Sequence, residues 1–251
     1  MNLSQIDYLD TWLEDYSRSF LSGDTQVDTN IQFKIDHTYR VWDNSLDLAA
    51  FLNLNANNTR IAEAIGLLHD VGRFEQFTRY GTYRDDISED HAELGLQVLA
   101  DNRILDGLVD VEKNIIESAI KYHNKYALPQ EISGDCLMFC KLIRDADKLD
   151  IFEQLANETA EGVPDKAECS REVAEVILAG KVVPFTMLRT SSDFKLMRMS
   201  WVLDVNYDLT LEKIVKLRFM EQTISKLELK GDIRKVYSYL KNYIEERLRE
   251  Y

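Results

Sequence analysis

Glycine and proline are scarce in this 251-residue sequence, which contains ten and three of them. An all-β fold needs turn residues at short intervals, so the scarcity argues against one and favours long helices. The three cysteines, Cys136, Cys140 and Cys169, form no Cys-x-x-Cys pair. We expect them to be small buried thiols in a reducing cytoplasm. The first residues are acidic and amphipathic, so we predict a cytoplasmic protein with neither a signal peptide nor a membrane span.

Positively charged residues are also fewer than acidic ones. Thirty lysines and arginines stand against 44 acidic residues, which gives a formal net charge of −14. Such a surface repels phosphate backbones, so we expect no nucleic-acid polymer as a partner. A small phosphorylated substrate is still compatible, because a bound metal and a few local cations can reverse the sign of the potential inside a pocket.

Apolar residues recur with helical spacing along nearly the whole chain, which predicts an all-α protein. A loop is expected at 78–88, and Gly162 and Pro164 interrupt the pattern near 158–167. We therefore expect a domain at 1–160 and a C-terminal helical extension at 161–251 that packs on it. The predicted helices lie near 6–20, 31–52, 58–68, 88–99, 111–125, 134–157, 166–180, 193–205, 210–230 and 232–250.

The chain has four histidines, and all four are candidate metal ligands. One histidine on an apolar helix face is usually a hydrogen-bonded core residue. Four of four favour a shared metal, because burying an imidazole without a partner is costly. Each shares the apolar stripe of its helix: His37 with Phe33 and Val41, His69 with Ile61 and Ile65, His91 with Leu94 and Val98, and His123 with Ile116 and Ile120.

Two carboxylates, Asp70 and Asp147, also fall on apolar stripes, where they need a cation or strong hydrogen bonds. Imidazole and carboxylate ligands suit Fe, Mn, Co, Ni or Zn, with Mg possible. Neighbouring residues differ by about 100° around a helix, so His69 and Asp70 can serve one site only near a helix end. Gly72 could end or loosen the helix at that point.

The ordered ligand set lies within the strings LLHDVGRFEQF, EDHAELGLQVL and IRDADKLDIFE. Over about residues 31–153 it resembles the HD superfamily of metal-dependent phosphohydrolases, all-α helical bundles, in its dinuclear form. The resemblance implies that His37, His69, Asp70 and Asp147 hold one metal. It also implies that Asp70 bridges to a second metal, which His91 and His123 complete. Alternatively, one metal is bound, and these last two histidines are hydrogen-bonded pocket residues.

The resemblance also implies roles for charged residues near the ligands. Lys148, next to Asp147, corresponds to a phosphate-contacting lysine, and Arg73 and Arg84 are further candidates for phosphate binding. Arg84 equally suits a surface ion pair. Asp70, Lys148 and Arg73 are the expected catalytic residues. Two further aspartates, Asp145 and Asp150, are expected to support the ligands or the fold.

The expected reaction is hydrolysis of a phosphate ester or anhydride of a nucleotide or small phosphometabolite by a metal-activated hydroxide. The string after His69-Asp70 lacks the Glu-Asp-Thr of alarmone hydrolases, and no Gly-Tyr-Pro triplet of cyclic dinucleotide phosphodiesterases occurs. Two alternatives stay open: a di-iron oxygenase of the HD fold, and a catalytically silent metal-binding regulatory module.

Overall fold

The computed structural model describes residues 1–157 and 167–249, and these residues contain helices and loops but no β-strand. The prediction of an all-α fold is therefore confirmed. The chain divides into two compact units, Met1–Asp147 and Lys148–Tyr251. The expected domain boundary at residue 160 lies outside the described residues. None of the described helices is long and apolar enough to cross a membrane.

Helix α3 forms the centre of the first unit. It contacts α1, α2 and α6, and Ile61, Ala62, Ala64 and Ile65 are buried around its circumference. Every residue from Ile61 to Leu68 except Glu63 is buried. The second half of α3 therefore lies inside the core and places the residue that follows it, His69, in the interior. The helices are α1 Leu3–Arg18, α2 Thr25–Phe51, α3 Ala56–Leu68, α4 Gly72–Tyr80, α5 His91–Asp101, α6 Asp110–Tyr122 and α7 Gly134–Asn157, which continues into the second unit.

Two helices of the first unit begin at residues other than those predicted. Helix α2 starts at Thr25 because the Asp24 carboxylate accepts hydrogen bonds from the backbone N–H groups of Gln26 and Val27. Helix α5 was predicted from residue 88, but it begins at His91, because the Asp90 carboxylate caps it by accepting from the backbone N–H groups of Ala92 and Glu93. Helix α4 occupies the start of the predicted loop, and the loop that remains contains a short 3₁₀ turn, Asp85–Ile87.

The second unit has a hydrophobic core of its own around its last helix, which contacts each of the four before it. The predicted helix 210–230 is two helices, because Arg218 adopts a left-handed conformation with φ of 53°. The helices are α8 Arg171–Leu178, α9 Ser191–Ser200, α10 Asp208–Lys216, α11 Phe219–Ser225 and α12 Gly231–Arg249. All three cysteines are free; Cys140 is buried as expected, whereas Cys136 and Cys169 are half-buried.

Candidate metal centre

Helices α2, α3, α5 and α6 bring the four histidines together inside the first unit. Their exposed fractions are 2%, 0%, 1% and 5% in chain order. Ring centroids lie 5.4 Å apart for His37 and His69, 5.3 Å for His69 and His123, and 4.9 Å for His91 and His123. His37 lies within α2, His69 directly follows α3, His91 begins α5, and His123 directly follows α6.

The junction between α3 and α4 lets His69 and Asp70 face the same site. Helix α3 ends at Leu68, and Gly72 begins α4 rather than merely loosening α3. A Cβ atom on Gly72 would lie 2.2 Å from the carbonyl oxygen of His91 and 2.5 Å from the backbone nitrogen of Gly95. Glycine at position 72 therefore permits a close approach of the α4 and α5 backbones, which brings His91 up to Asp70.

The two carboxylate oxygens of Asp70 face different pairs of histidines. Oδ2 lies 3.3 Å from Nε2 of His37 and 3.7 Å from Nε2 of His69. Oδ1 lies 3.2 Å from Nε2 of His91 and 3.6 Å from Nε2 of His123. Two groups of potential ligand atoms thus form, and Asp70 is a member of both. Asp147 joins the first of them, with Oδ1 3.3 Å from Nε2 of His37.

The outer nitrogens of two histidines bind backbone carbonyl groups. Nδ1 of His69 lies 2.9 Å from the oxygen of Gly66, and Nδ1 of His123 lies 2.7 Å from that of Ile120. Because a carbonyl oxygen only accepts, each Nδ1 carries the proton and each Nε2 keeps its lone pair in the neutral ring. Nε2 of His69 is buried and has no hydrogen-bond partner among the described residues. A cation would satisfy this lone pair.

The third outer nitrogen, Nδ1 of His91, lies 2.8 Å from Oδ2 of Asp85. An ionised carboxylate also only accepts, so this ring too turns the lone pair of Nε2 inward. The Nε2 atoms of His91 and His123 are 2.9 Å apart. Two lone pairs at this distance repel each other unless a proton or a metal cation lies between them. The donor set and its orientation therefore fit a metal.

Positive groups keep the central carboxylates ionised. Burial alone raises the pKa of Asp70, but Lys34, with Nζ 2.8 Å from Oδ2, and the nearby His69 and Arg73 hold that pKa well below its ordinary value. Burial likewise raises the pKa of Asp147, whereas His37 and His69 hold it below the ordinary value. Burial lowers the pKa of His69 to about 4. At neutral pH these groups have the protonation states that metal binding requires.

The three predicted substrate-binding cations have different surroundings. Arg73 lies at the centre, with Nε 3.4 Å from Oδ1 of Asp70. Arg84 is exposed and pairs with Asp86, an acid outside the candidate ligand set. In the second unit, Nζ of Lys148 lies 2.7 Å from Oδ2 of Asp204. The two aspartates predicted to support the ligands or the fold, Asp145 and Asp150, are both fully buried. Asp150 accepts a hydrogen bond from Gln154.

Sequence reasoning missed three residues that contact the centre. Lys34 precedes His37 by three residues, one helical turn, and this spacing was the available signal. Asp85 lies in a predicted loop, and no local pattern pointed to it. Asn124 follows His123 and donates hydrogen bonds to Asp85 and Asp90.

A comparison with known protein families supports the resemblance to the HD superfamily. The HD domain model matches residues 35–153. No curated protein and no solved structure matches the chain significantly. The matched stretch contains all six predicted ligands, from His37 to Asp147. Residues 35–153 therefore form a domain of the HD family.

Proposed function

We propose that this protein is a metal-dependent phosphohydrolase that cleaves a phosphate ester or anhydride of a nucleotide or small phosphometabolite. One or two divalent metals, of Fe, Mn, Ni, Co, Zn or Mg, would be held by His37, His69, Asp70 and Asp147 on one side and by His91, His123 and Asp70 on the other. The supporting observation is that the two oxygens of Asp70 face separate pairs of histidines.

This arrangement is the one that a bridging ligand needs. Each oxygen of Asp70 has two imidazole nitrogens within 3.7 Å, and those of His69, His91 and His123 carry lone pairs that a metal could bind. The chemistry that divalent metals supply in such a site is Lewis acidity, which lowers the pKa of water and stabilises charge on a phosphoryl group. The burial of all four histidines would keep bulk water away from the reacting groups.

The chain's own cations would attract and orient the phosphate. Lys34 and Arg73 both lie against Asp70, so two positively charged side chains stand at the centre of a protein that is acidic overall. The planar guanidinium of Arg73 can bind two phosphate oxygens at once. Lys148 follows Asp147 directly in the chain and stays a predicted phosphate contact. Asp70, Arg73 and Lys148 are the proposed catalytic residues.

A phosphate-release screen with three proteins tests the proposal. Nucleotides and phosphometabolites are offered with Mn²⁺ or Ni²⁺ to the wild type, to Asp70→Ala and to Asp36→Ala. The last variant is a matched control, because Asp36 is an exposed carboxylate next to His37. We expect turnover by the wild type and the control, and a loss of at least about 100-fold in Asp70→Ala, since it removes a ligand of both groups.

Other outcomes would replace the proposal. Equal turnover by the wild type and Asp70→Ala would mean that the catalyst lies elsewhere. A mixed-valent iron pair with oxygen uptake, and no phosphate release with any metal, would identify an oxygenase. Tight metal binding with neither activity would favour a regulatory module.

A further inference from the structure

Asp85, in the loop between α4 and α5, is contacted by hydrogen-bond donors from four residues. Its two oxygens lie 2.8 and 2.9 Å from Nδ1 of His91. It also accepts hydrogen bonds from Nη1 of Arg73 at 3.0 Å, Nε2 of Gln76 at 2.8 Å and Nδ2 of Asn124 at 3.2 Å. Donors from α4, from α5 and from the segment after α6 thus converge on one side chain and fix its orientation.

The position of His91 in its helix explains why a side chain is needed here. His69 and His123 follow the ends of helices, where the carbonyl oxygens of Gly66 and Ile120, three residues earlier, accept their Nδ1 protons. His91 is the first residue of α5. The start of a helix presents free N–H groups rather than carbonyl groups. A carboxylate has to replace the missing carbonyl, and the helix dipole favours its negative charge.

We propose that Asp85 is a positioning residue, which holds His91 with its proton on Nδ1 and its Nε2 lone pair towards Asp70 and thereby sets the affinity of the second metal. The proposal rests on the proposed metal-dependent function. A charged acceptor on the outer nitrogen also makes Nε2 a stronger ligand than a carbonyl acceptor does. We therefore expect the affinity for the metal held by His91 and His123 to depend on the side chain of Asp85.

A competing interpretation is that Asp85, Asp90 and His91, whose potential ligand atoms lie close together, hold a metal themselves. Their surroundings argue against it. Lys125 forms an ion pair with Asp90, and Asn124 donates to both aspartates. Because cationic and N–H donors already occupy these oxygens, the carboxylates are better explained as supports for His91.

Mn²⁺ binding measured by equilibrium dialysis and elemental analysis tests the proposal. The variants are Asp85→Ala, Asp85→Asn and Asp86→Ala, the last a control in the same 3₁₀ turn with an exposed carboxylate that pairs with Arg84. We expect two Mn²⁺ ions in the wild type and in the control. In Asp85→Ala one site should stay intact, and the affinity of the other should fall about 10- to 100-fold. The affinity of Asp85→Asn for this second ion should lie between those of the wild type and Asp85→Ala, because its amide oxygen can accept a hydrogen bond from Nδ1 but is uncharged.

Nitrogen NMR of the metal-free protein provides a readout that a purely structural role would not change. The chain has four histidines, so labelled imidazole signals can be resolved and assigned. The His91 signal should report a proton fixed on Nδ1 in the wild type and in Asp86→Ala, and a mixture of tautomers in Asp85→Ala. Asp85→Asn keeps the side-chain volume and covers the case in which Asp85→Ala does not fold.

Three results would overturn the proposal: Mn²⁺ affinities in the Asp85 variants equal to those of the control, an unchanged His91 tautomer in these variants, or a wild type that binds fewer than two ions. Failure of the proposed function is distinguishable from these results. A protein that binds two Mn²⁺ ions and releases no phosphate still shows whether Asp85 controls one of them.

Discussion

The Nε2 atoms of His91 and His123 lie 2.9 Å apart in the interior of the protein, and each ring has its Nδ1 against an acceptor. Neither ring can turn its proton inward without losing that outer hydrogen bond. The contact is therefore unfavourable for two neutral rings and favourable around a cation. The buried Nε2 of His69 also has no hydrogen-bond partner among the described residues, so a cation would stabilise this ring too.

Metal counting on three single variants should separate the two groups of ligands. We expect His37→Ala and His91→Ala each to lose one of two bound metals, because each belongs to one group. Asp70→Ala should lose both, since its oxygens face both groups. Elemental analysis after dialysis gives the stoichiometry. If His91→Ala retains the wild-type metal content, there is no second site, and His91 and His123 are hydrogen-bonded pocket residues.

Substitution of Gly72 should disturb the approach of α4 to α5. A Cβ atom at this position meets backbone atoms of His91 and Gly95, which cannot rotate away. We expect Gly72→Ala to lower the free energy of unfolding by about 1–3 kcal/mol, the usual effect of overpacking, and to weaken metal binding by His91. Urea denaturation and Mn²⁺ titration measure the two effects.

The matched control for this prediction is Gly107→Ala, because a Cβ atom on Gly107 meets nothing within 4 Å. It should keep wild-type metal binding. Equal destabilisation by the two substitutions would show that the close approach at Gly72 is unimportant.

Asp193 should make the stability of the second unit depend on pH. This buried carboxylate accepts hydrogen bonds from the backbone and hydroxyl of Ser170 and from the backbone N–H groups of Arg189 and Thr190. Burial raises its pKa, but these hydrogen bonds bring the pKa below the ordinary value. The folded pKa is thus below the unfolded one. The stabilisation is therefore fully present above the unfolded pKa of about 4 and is lost progressively as pH falls from there through the folded pKa.

Urea denaturation of Asp193→Asn at several pH values tests this relationship. We expect a loss of about 1–3 kcal/mol at neutral pH. It should shrink progressively below about pH 4, where the unfolded chain takes up a proton first, and disappear once the folded carboxylate is protonated as well. The control is Asp232→Asn, because that carboxylate is exposed and pairs with Lys235. A difference between wild type and Asp193→Asn that stays constant with pH would contradict the prediction.

The burial of the histidines could be predicted from sequence because it is encoded within single helices. Each histidine shares the spacing of its apolar neighbours, and an unsatisfied imidazole in a core demands an explanation. The all-α class was predictable for the same reason, since the periodicity is local. The metal-ligand roles that the resemblance implies stay predictions.

Contacts that depend on loops or on distant segments could not be predicted. Asp85 reaches His91 only because of the path of its loop, and Lys34 contacts Asp70, 36 residues away. A lysine on a half-buried helix face more often extends to solvent. The start of α5 was misplaced because Ser88 and Asp90 are both good caps, and local rules do not choose between them.

Arg144 of α7 should determine the position of His123. Its guanidinium is buried and donates hydrogen bonds to the carbonyl oxygens of Tyr122 and His123, at 3.3 and 3.2 Å, and also to that of Lys125. Tyr122 ends α6, and His123 and Lys125 follow it, so no helical N–H group is available to these carbonyl groups. A positive charge there also stabilises the helix dipole.

We expect Arg144→Met to lower the free energy of unfolding by about 1–3 kcal/mol, because methionine fills similar space but cannot donate the hydrogen bonds that Arg144 makes to these carbonyl groups. Since His123 would lose its support, the affinity for the Mn²⁺ ion held by His91 and His123 should fall. The ion held by His37 and His69 should stay bound. Urea denaturation and Mn²⁺ titration are again the measurements. The control, Lys121→Met, removes an exposed positive charge of α6 that pairs with Glu93, and should change stability by less than about 0.5 kcal/mol. If both variants bind Mn²⁺ equally well, the position of His123 does not depend on Arg144.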